Sequence, residues 1–136
     1  MAEPAASARP FRIVVAGHRP FAEALVGTAD GIVGTGDGLT ALTLDPVESP
    51  ELFATRVEAA IAAAEAPVLL LTDLVGGSPH NVVAAAMQRA GAWCIGGANL
   101  AVLLEAVTTR EPLSDQLVER LVRLGRDALV AVAARG

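Results

Sequence analysis

The run Val68-Leu69-Leu70-Leu71 constrains the fold more than any other part of the chain. It is a short, uninterrupted apolar segment bounded by Pro67 and Asp73, so it reads as a strand rather than a helix. No residue in it offers a polar face to water. Such a strand must be covered on both sides, the usual condition of a parallel sheet with helices on each face.

The neighbouring segments supply the rest of that architecture. Phe11 to Ala16 is a first apolar run, followed by Gly17 and His18. A helix is expected from about Pro20 to Asp30, because proline suits a first helical turn where its missing N–H has no partner anyway. Leu39 to Leu44 reads as a second strand. Ser49 is placed to cap the next helix with Pro50 at its first position, and Phe53, Val57, Ala60, Ile61 and Ala64 then form one apolar face. Pro67 to Thr72 is the third strand. A turn from Asp73 to Ser78 leads into a helix from Pro79 to about Ala90, and Ala92 to Ile95 is the fourth strand. Asn99 can cap a helix bearing Leu100, Leu103, Leu104 and Val107. After Pro112, a last helix carries Leu117, Val118, Leu121, Val122 and Leu124 and ends before Gly125. Asp127 to Ala134 is open between helix and strand. Alternating strands and helices imply right-handed crossovers, hence an open, mostly parallel four-stranded α/β sheet with helices on both faces.

The expected organisation is a flexible tail over residues 1–10 and a single domain over residues 11–136. Composition narrows the function classes. A net charge of -5 argues against nucleic acid and anionic membranes, which favour basic patches. Three Phe, one Trp and no Tyr are few for a base-stacking platform or a flat cofactor pocket. Cys94 is the only cysteine, which rules out an internal disulfide and a cysteine-built zinc site; mid-strand, it reads as a small buried hydrophobe. No segment approaches the roughly 18 apolar residues of a membrane span, and no leader of signal-peptide type is seen, so a cytoplasmic location is expected. Gly34-Thr35-Gly36-Asp37-Gly38 is glycine-rich but precedes a strand, so it does not qualify as a phosphate loop or dinucleotide fingerprint.

In open α/β sheets, ligands bind beyond the carboxyl ends of the strands where the strand order reverses. With the first and third strands adjacent, His18 and Asp73 fall side by side there. A histidine after a strand is commonly a plain loop residue. Here it has a second reading as a nucleophile or general base, because an imidazole nitrogen can attack phosphorus when an acceptor such as Asp73 holds the other as N–H. Gly76-Gly77-Ser78-Pro79 opens a helix, with Ser78 as its expected N-cap. Free N–H groups at such a start bind anions, two glycines permit close approach, and the Ser78 hydroxyl adds a donor. Arg19 is either a contact for a phosphoryl group or acidic partner, or an ordinary surface arginine. His80 is either a rim contact or a solvated side chain. No ligand spacing supports a metal on His18, His80 and Asp73, and no cofactor is implied.

These blocks together resemble a known family. Ile13-Val14-Val15-Ala16-Gly17-His18, followed by Phe21-Ala22-Glu23-Ala24-Leu25, is similar to the opening of the IIA component of the mannose-type (mannose/fructose/sorbose) phosphoenolpyruvate-dependent sugar phosphotransferase system. Thr72-Asp73-Leu74-Val75-Gly76-Gly77-Ser78-Pro79-His80-Asn81 resembles its Asp-x-x-Gly-Gly-Ser-Pro-x-Asn block, and Gly97-Ala98-Asn99-Leu100, with Leu104-Glu105 beyond, its Gly-x-Asn turn before a helix. The resemblance implies a phosphocarrier in which His18 accepts a phosphoryl group from the histidine-containing phosphocarrier protein and passes it to a separate IIB component of a membrane permease. It implies that Asp73 holds the imidazole and that Gly76, Gly77 and Ser78 contact the phosphoryl group. It also implies a homodimer that exchanges a C-terminal strand, which here would be Ala128 to Val132. The chain departs from the family pattern at Arg19-Pro20, where Gly usually follows the histidine, at Leu74-Val75, where an aromatic is common, at His80, where Phe is common, and at Ala101, where the family has Pro. Two related roles stay open. One is the phosphocarrier subunit of a phosphoenolpyruvate-dependent dihydroxyacetone kinase, against which the Gly-Gly-Ser-Pro turn argues. The other is a regulatory module whose phosphorylation state signals to a partner.

Overall fold

The computed structural model describes residues 9–34, 38–87 and 92–135. Among the described residues nine elements follow one another, strands and helices alternating up to a final pair of helices: β1 (Arg12–His18), α1 (Phe21–Val33), β2 (Leu39–Leu44), α2 (Pro50–Ala64), β3 (Val68–Thr72), α3 (Ser78–Ala86), β4 (Ala92–Ile95), α4 (Leu100–Thr108) and α5 (Asp115–Asp127). The strands form one open, all-parallel sheet in the order β2-β1-β3-β4.

Period-two alternation in the central strands builds a core on each face. Ile13 and Val15 of β1, with Leu69 and Leu71 of β3, point to one side. There they meet Ala22 and Ala29 of α1, Leu103 and Ala106 of α4, and Leu117 and Leu121 of α5. Val14, Ala16, Val68 and Leu70 point to the other side, against Phe53, Val57 and Ile61 of α2 and Val83 and Ala86 of α3. All five residues of β3 are buried, the four apolar ones from Val68 to Leu71 together with the terminal Thr72.

The bounds of β2 and β4 agree with the sequence reading, and so do two caps. Ser49 Oγ accepts the Leu52 N–H and Asn99 Oδ1 accepts the Val102 N–H. Several bounds differ. β1 runs on to His18, because it pairs with β2 through His18 opposite Leu44. Pro20 is the N-cap of α1 and follows a cis peptide bond from Arg19; the helix begins at Phe21 and continues to Val33, where Gly34 closes it at φ 66°. Gly77 caps α3, and Ser78 is instead its first helical residue, with no side-chain cap bond. α5 does not stop before Gly125 but passes through it to Asp127. That glycine is a contact point: a Cβ there would lie 2.5 Å from Val102 Cγ2, so its absence lets α5 press against α4, and its carbonyl accepts from Asn99 Nδ2 at 3.0 Å.

Beyond the turn at Ala128, residues 129–135 are neither helix nor strand. Leu129, Val130 and Val132 are 84%, 73% and 92% exposed, and no strand forms over Ala128 to Val132 within the single chain. Most of the N-terminal tail, the centre of the glycine-rich loop at 35–37 and the expected end of the third helix at 88–90 lie outside the described residues. Among the described residues no helix is long and apolar enough to cross a membrane.

Candidate active site

β1 and β3 are neighbours, and the chain leaves them in opposite directions across the sheet, so the strand order reverses between their carboxyl ends. His18 is the last residue of β1, and Asp73 follows Thr72, the last residue of β3. By alternation His18 continues the Val14, Ala16 series and projects to the α2/α3 face.

The two side chains meet directly. Asp73 Oδ2 accepts the backbone N–H of His18 at 2.8 Å and lies 2.8 Å from His18 Nδ1. Its other oxygen, Oδ1, accepts the Leu74 N–H at 2.8 Å. Partial burial raises the Asp73 pKa, but the bonds from the His18 backbone, the His18 ring and Leu74 outweigh it, and the carboxyl is held below its ordinary value. An ionised carboxylate can only accept, so Nδ1 of His18 must be the donor. In the neutral ring the lone pair then belongs to Nε2, the nitrogen not engaged by Asp73. The Asp73 side chain is 12% exposed and the His18 side chain 49%, so the carboxylate sits behind a ring that faces outward.

Two glycines make room for this arrangement. A Cβ on Gly17 would lie 3.1 Å from Asp73 Oδ2 and 3.2 Å from Phe21 Cδ2, so only glycine admits the carboxylate against β1 without displacement. A Cβ on Gly77 would lie 3.0 Å from His18 Cε1, so the start of α3 is in close contact with the imidazole. Gly76 turns the chain at φ 90°, in the left-handed region that favours glycine. The Gly77 N–H is used by the Leu74 carbonyl, and the Gly77 carbonyl accepts the Asn81 N–H. Ser78 and His80 lie in the first turn of α3, where N–H groups have no intrahelical acceptor, and Pro79 has no N–H to satisfy. The exposed Ser78 hydroxyl is not spent on the cap. The helix start therefore offers donors and a partial positive charge next to His18.

Arg19 is exposed and lines an open depression of about 520 Å³ with Thr43, Asp45, Val47, Glu48, Leu52 and Arg56. Arg56 is committed to Glu48 Oε1 at 2.8 Å and to the Thr43 carbonyl at 3.0 Å, whereas Arg19 has no ion-pair partner among the described residues. His80 departs from the solvated-surface alternative. It is half-buried, and its Nδ1 lies 2.7 Å from Oγ1 of the fully buried Thr72. Among the described residues no group of three or more His, Cys, Asp or Glu is arranged to hold a metal.

Sequence reasoning missed Gly17 and Thr72. A glycine inside an apolar strand signals close approach of another group, and here the group is Asp73. Thr72 is the one hydroxyl-bearing residue at the end of an otherwise apolar strand, but only the fold shows that His80 is its partner.

No curated protein matches the chain. The family model for the PTS system fructose IIA component, EIIA-man, matches residues 12–122. Among solved structures, the PTS IIA protein associated with the fucose utilization operon of Streptococcus pneumoniae is 27% identical with a TM-score of 0.78, over 91% of this chain and 96% of that one. The mannose/sorbose specific IIA subunit of the phosphotransferase system from Enterococcus faecalis is 25% identical with a TM-score of 0.80, over 93% and 97%. The phosphotransferase system component EIIA from Streptococcus agalactiae is 25% identical with a TM-score of 0.74, over 89% and 96%. The chain belongs to the EIIA-man family of phosphotransferase-system IIA components, and its general role is that of a phosphocarrier in such a system.

Proposed function

We propose that Nε2 of His18 is the phosphoryl acceptor and that the donor is the phosphohistidine of the histidine-containing phosphocarrier protein. As Nε2 bonds to phosphorus, the donor's P–N bond breaks and its electron pair returns to the donor imidazole. The same step in reverse order of partners then delivers the group to a IIB component during sugar uptake. The observation that carries this reading is the 2.8 Å contact between His18 Nδ1 and an acceptor-only Asp73 carboxylate. It leaves Nε2 as the reactive atom, and Asp73 also balances the positive charge that develops on the ring. Phosphoryl transfer needs mostly positioning and donors for the equatorial oxygens. The Ser78 N–H and hydroxyl, at the glycine-lined start of α3, are assigned that role, and Arg19 that of a partner contact.

The reading extends to assembly and place. Residues 11–136 act as one cytoplasmic phosphocarrier domain, and two copies pair by exchanging the segment from Ala128 to Val132. Two features support the exchange: β4 is an edge strand, and the segment holds three exposed apolar side chains.

Intact-mass spectrometry tests the carrier role. After incubation with phosphoenolpyruvate, enzyme I and the cognate phosphocarrier protein, the wild type is expected to gain one acid-labile phosphoryl group and His18→Ala none. An unmodified wild type beside a demonstrably phosphorylated donor would refute the assignment.

A further inference from the structure

The start of α3 has to be held in place if its donors are to serve His18, and few groups in the turn can hold it. Leu74 and Val75, which lead into the turn, are exposed. Gly77 and Ser78 make no side-chain cap bond. The Gly77 N–H donates to the Leu74 carbonyl at 3.0 Å, and Asn81 Nδ2 donates to the Gly76 carbonyl at 3.3 Å. Both bonds close within the turn and shape it without tying it to the sheet. Pro79 and Val83 are buried, but apolar contact is non-directional and leaves the helix free to slide or rotate by small amounts.

One side chain ties the turn to the sheet. His80 Nδ1 lies 2.7 Å from Oγ1 of Thr72, the fully buried last residue of β3. A hydroxyl and a ring nitrogen can each donate or accept, so the bond forms whichever of the two supplies the proton. Among the described residues it is the only side-chain hydrogen bond from the first turn of α3 to a strand. Thr72 stands opposite Ala16 of β1, two residues before His18 on the same face of the sheet. The His80 ring is also confined from the side of β4. A Cβ on Gly96 would lie 2.7 Å from His80 Cε1 and 2.7 Å from Val75 Cγ2, so a glycine there lets both side chains close down on the backbone. The same turn meets the imidazole of His18 through Gly77, where a Cβ would lie 3.0 Å from Cε1. Fixing the turn at His80 therefore fixes Gly77 and Ser78 against His18.

We propose that His80 and Thr72 are positioning residues for phosphoryl transfer: their hydrogen bond seats the first turn of α3 so that the Ser78 donors stand where a phosphoryl group on His18 needs them. The two residues act through the backbone of the turn and not on the phosphoryl group itself. The effect on rate rests on the phosphocarrier reading; the seating of the turn does not.

Four variants test the bond. Thr72→Val and His80→Leu each remove one partner and leave the other unpaired, the double variant puts apolar groups of similar shape at both positions, and Thr72→Ser keeps the hydroxyl. Urea titration establishes which variants are folded; if Thr72→Val is not, His80→Leu tests the same bond from its half-buried side. The proton–carbon resonance of His18 Cε1, which lies against Gly77, reports the seating. It is expected to move in each single removal and to return in Thr72→Ser and in the double variant. A resonance unmoved by either removal would overturn the proposal whatever the protein's function. In phosphotransfer from the phosphorylated carrier, each removal is expected to lower kcat by roughly ten- to a hundredfold with KM unchanged, and Thr72→Ser and the double variant to recover most of the rate. Removals that transfer at the wild-type rate would overturn the positioning role. A double variant with the His18 resonance restored but the rate still low would also overturn it, because the imidazole would then act on the reaction itself. A wild type that takes no phosphoryl group from a phosphorylated carrier would sink the phosphocarrier reading and the rate effect with it, while the resonance would still decide the seating.

Discussion

A carboxylate that accepts from both the backbone and the ring of one histidine fixes that ring in position and in tautomer. Asp73 does this with a single oxygen, Oδ2, while Leu74 secures the other. Asp73→Asn keeps the shape but exchanges an acceptor-only group for one whose amide nitrogen donates, so His18 can turn or change tautomer. Phosphorylation of His18 is expected to slow on the order of 10²- to 10⁴-fold with the fold intact, as read by the same mass assay against time. The carboxyl also has a signature in stability. Its folded pKa lies below the ordinary carboxylate value of about 3.9, so the contribution is fully present above that value and is lost as pH falls through the folded value. Urea titrations of the wild type and Asp73→Asn are expected to differ at neutral pH and to converge only in strong acid. A constant difference down to pH 2 would show that Asp73 does not stabilise the fold through its charge.

At the scale of elements, packing sets the limits that local sequence signals leave open. Gly125 reads as a helix stop, yet α5 runs through it because α4 needs the space. Gly125→Ala is expected to destabilise the protein by about 1–3 kcal/mol, since the new methyl would overlap Val102. Val102→Ala in the same chain should recover part of that loss, and two full, additive penalties in denaturant titration would contradict the contact. β1 gives a second case. Its apolar run ends at Ala16, but pairing with β2 carries the strand two residues further and places His18 at the carboxyl end of the sheet rather than in a loop. The caps at Ser49 and Asn99 were legible because one side chain and one N–H decide them. The N-cap of α3 was not, because Gly76 redirects the chain and shifts the helix start by one residue.

For the whole molecule, the topology was legible because β3 has no polar face and must lie inside the sheet. The same topology brings His18 to Asp73. The role of Gly17 was not legible, since it meets Asp73 and Phe21 from elsewhere in the chain, nor were the Thr72–His80 bond and the contact between Gly77 and the imidazole, since both depend on how α3 is seated. The single chain leaves Leu129, Val130 and Val132 exposed, and β4 is an edge strand of the sheet; both are pairing hazards unless a partner covers them. Sedimentation at micromolar concentration is expected to give a dimer for the full chain and a monomer after deletion of residues 128–136. A monomeric full chain would contradict the exchange.

The most direct test of the account is the site of phosphorus attachment, because it follows from a single geometric fact, the commitment of His18 Nδ1 to Asp73. Phosphorus–nitrogen correlation on the phosphorylated, 15N-histidine-labelled protein is expected to place the group on Nε2 of His18, with Nδ1 still protonated. Phosphorus on Nδ1 of His18, or on His80, would contradict it.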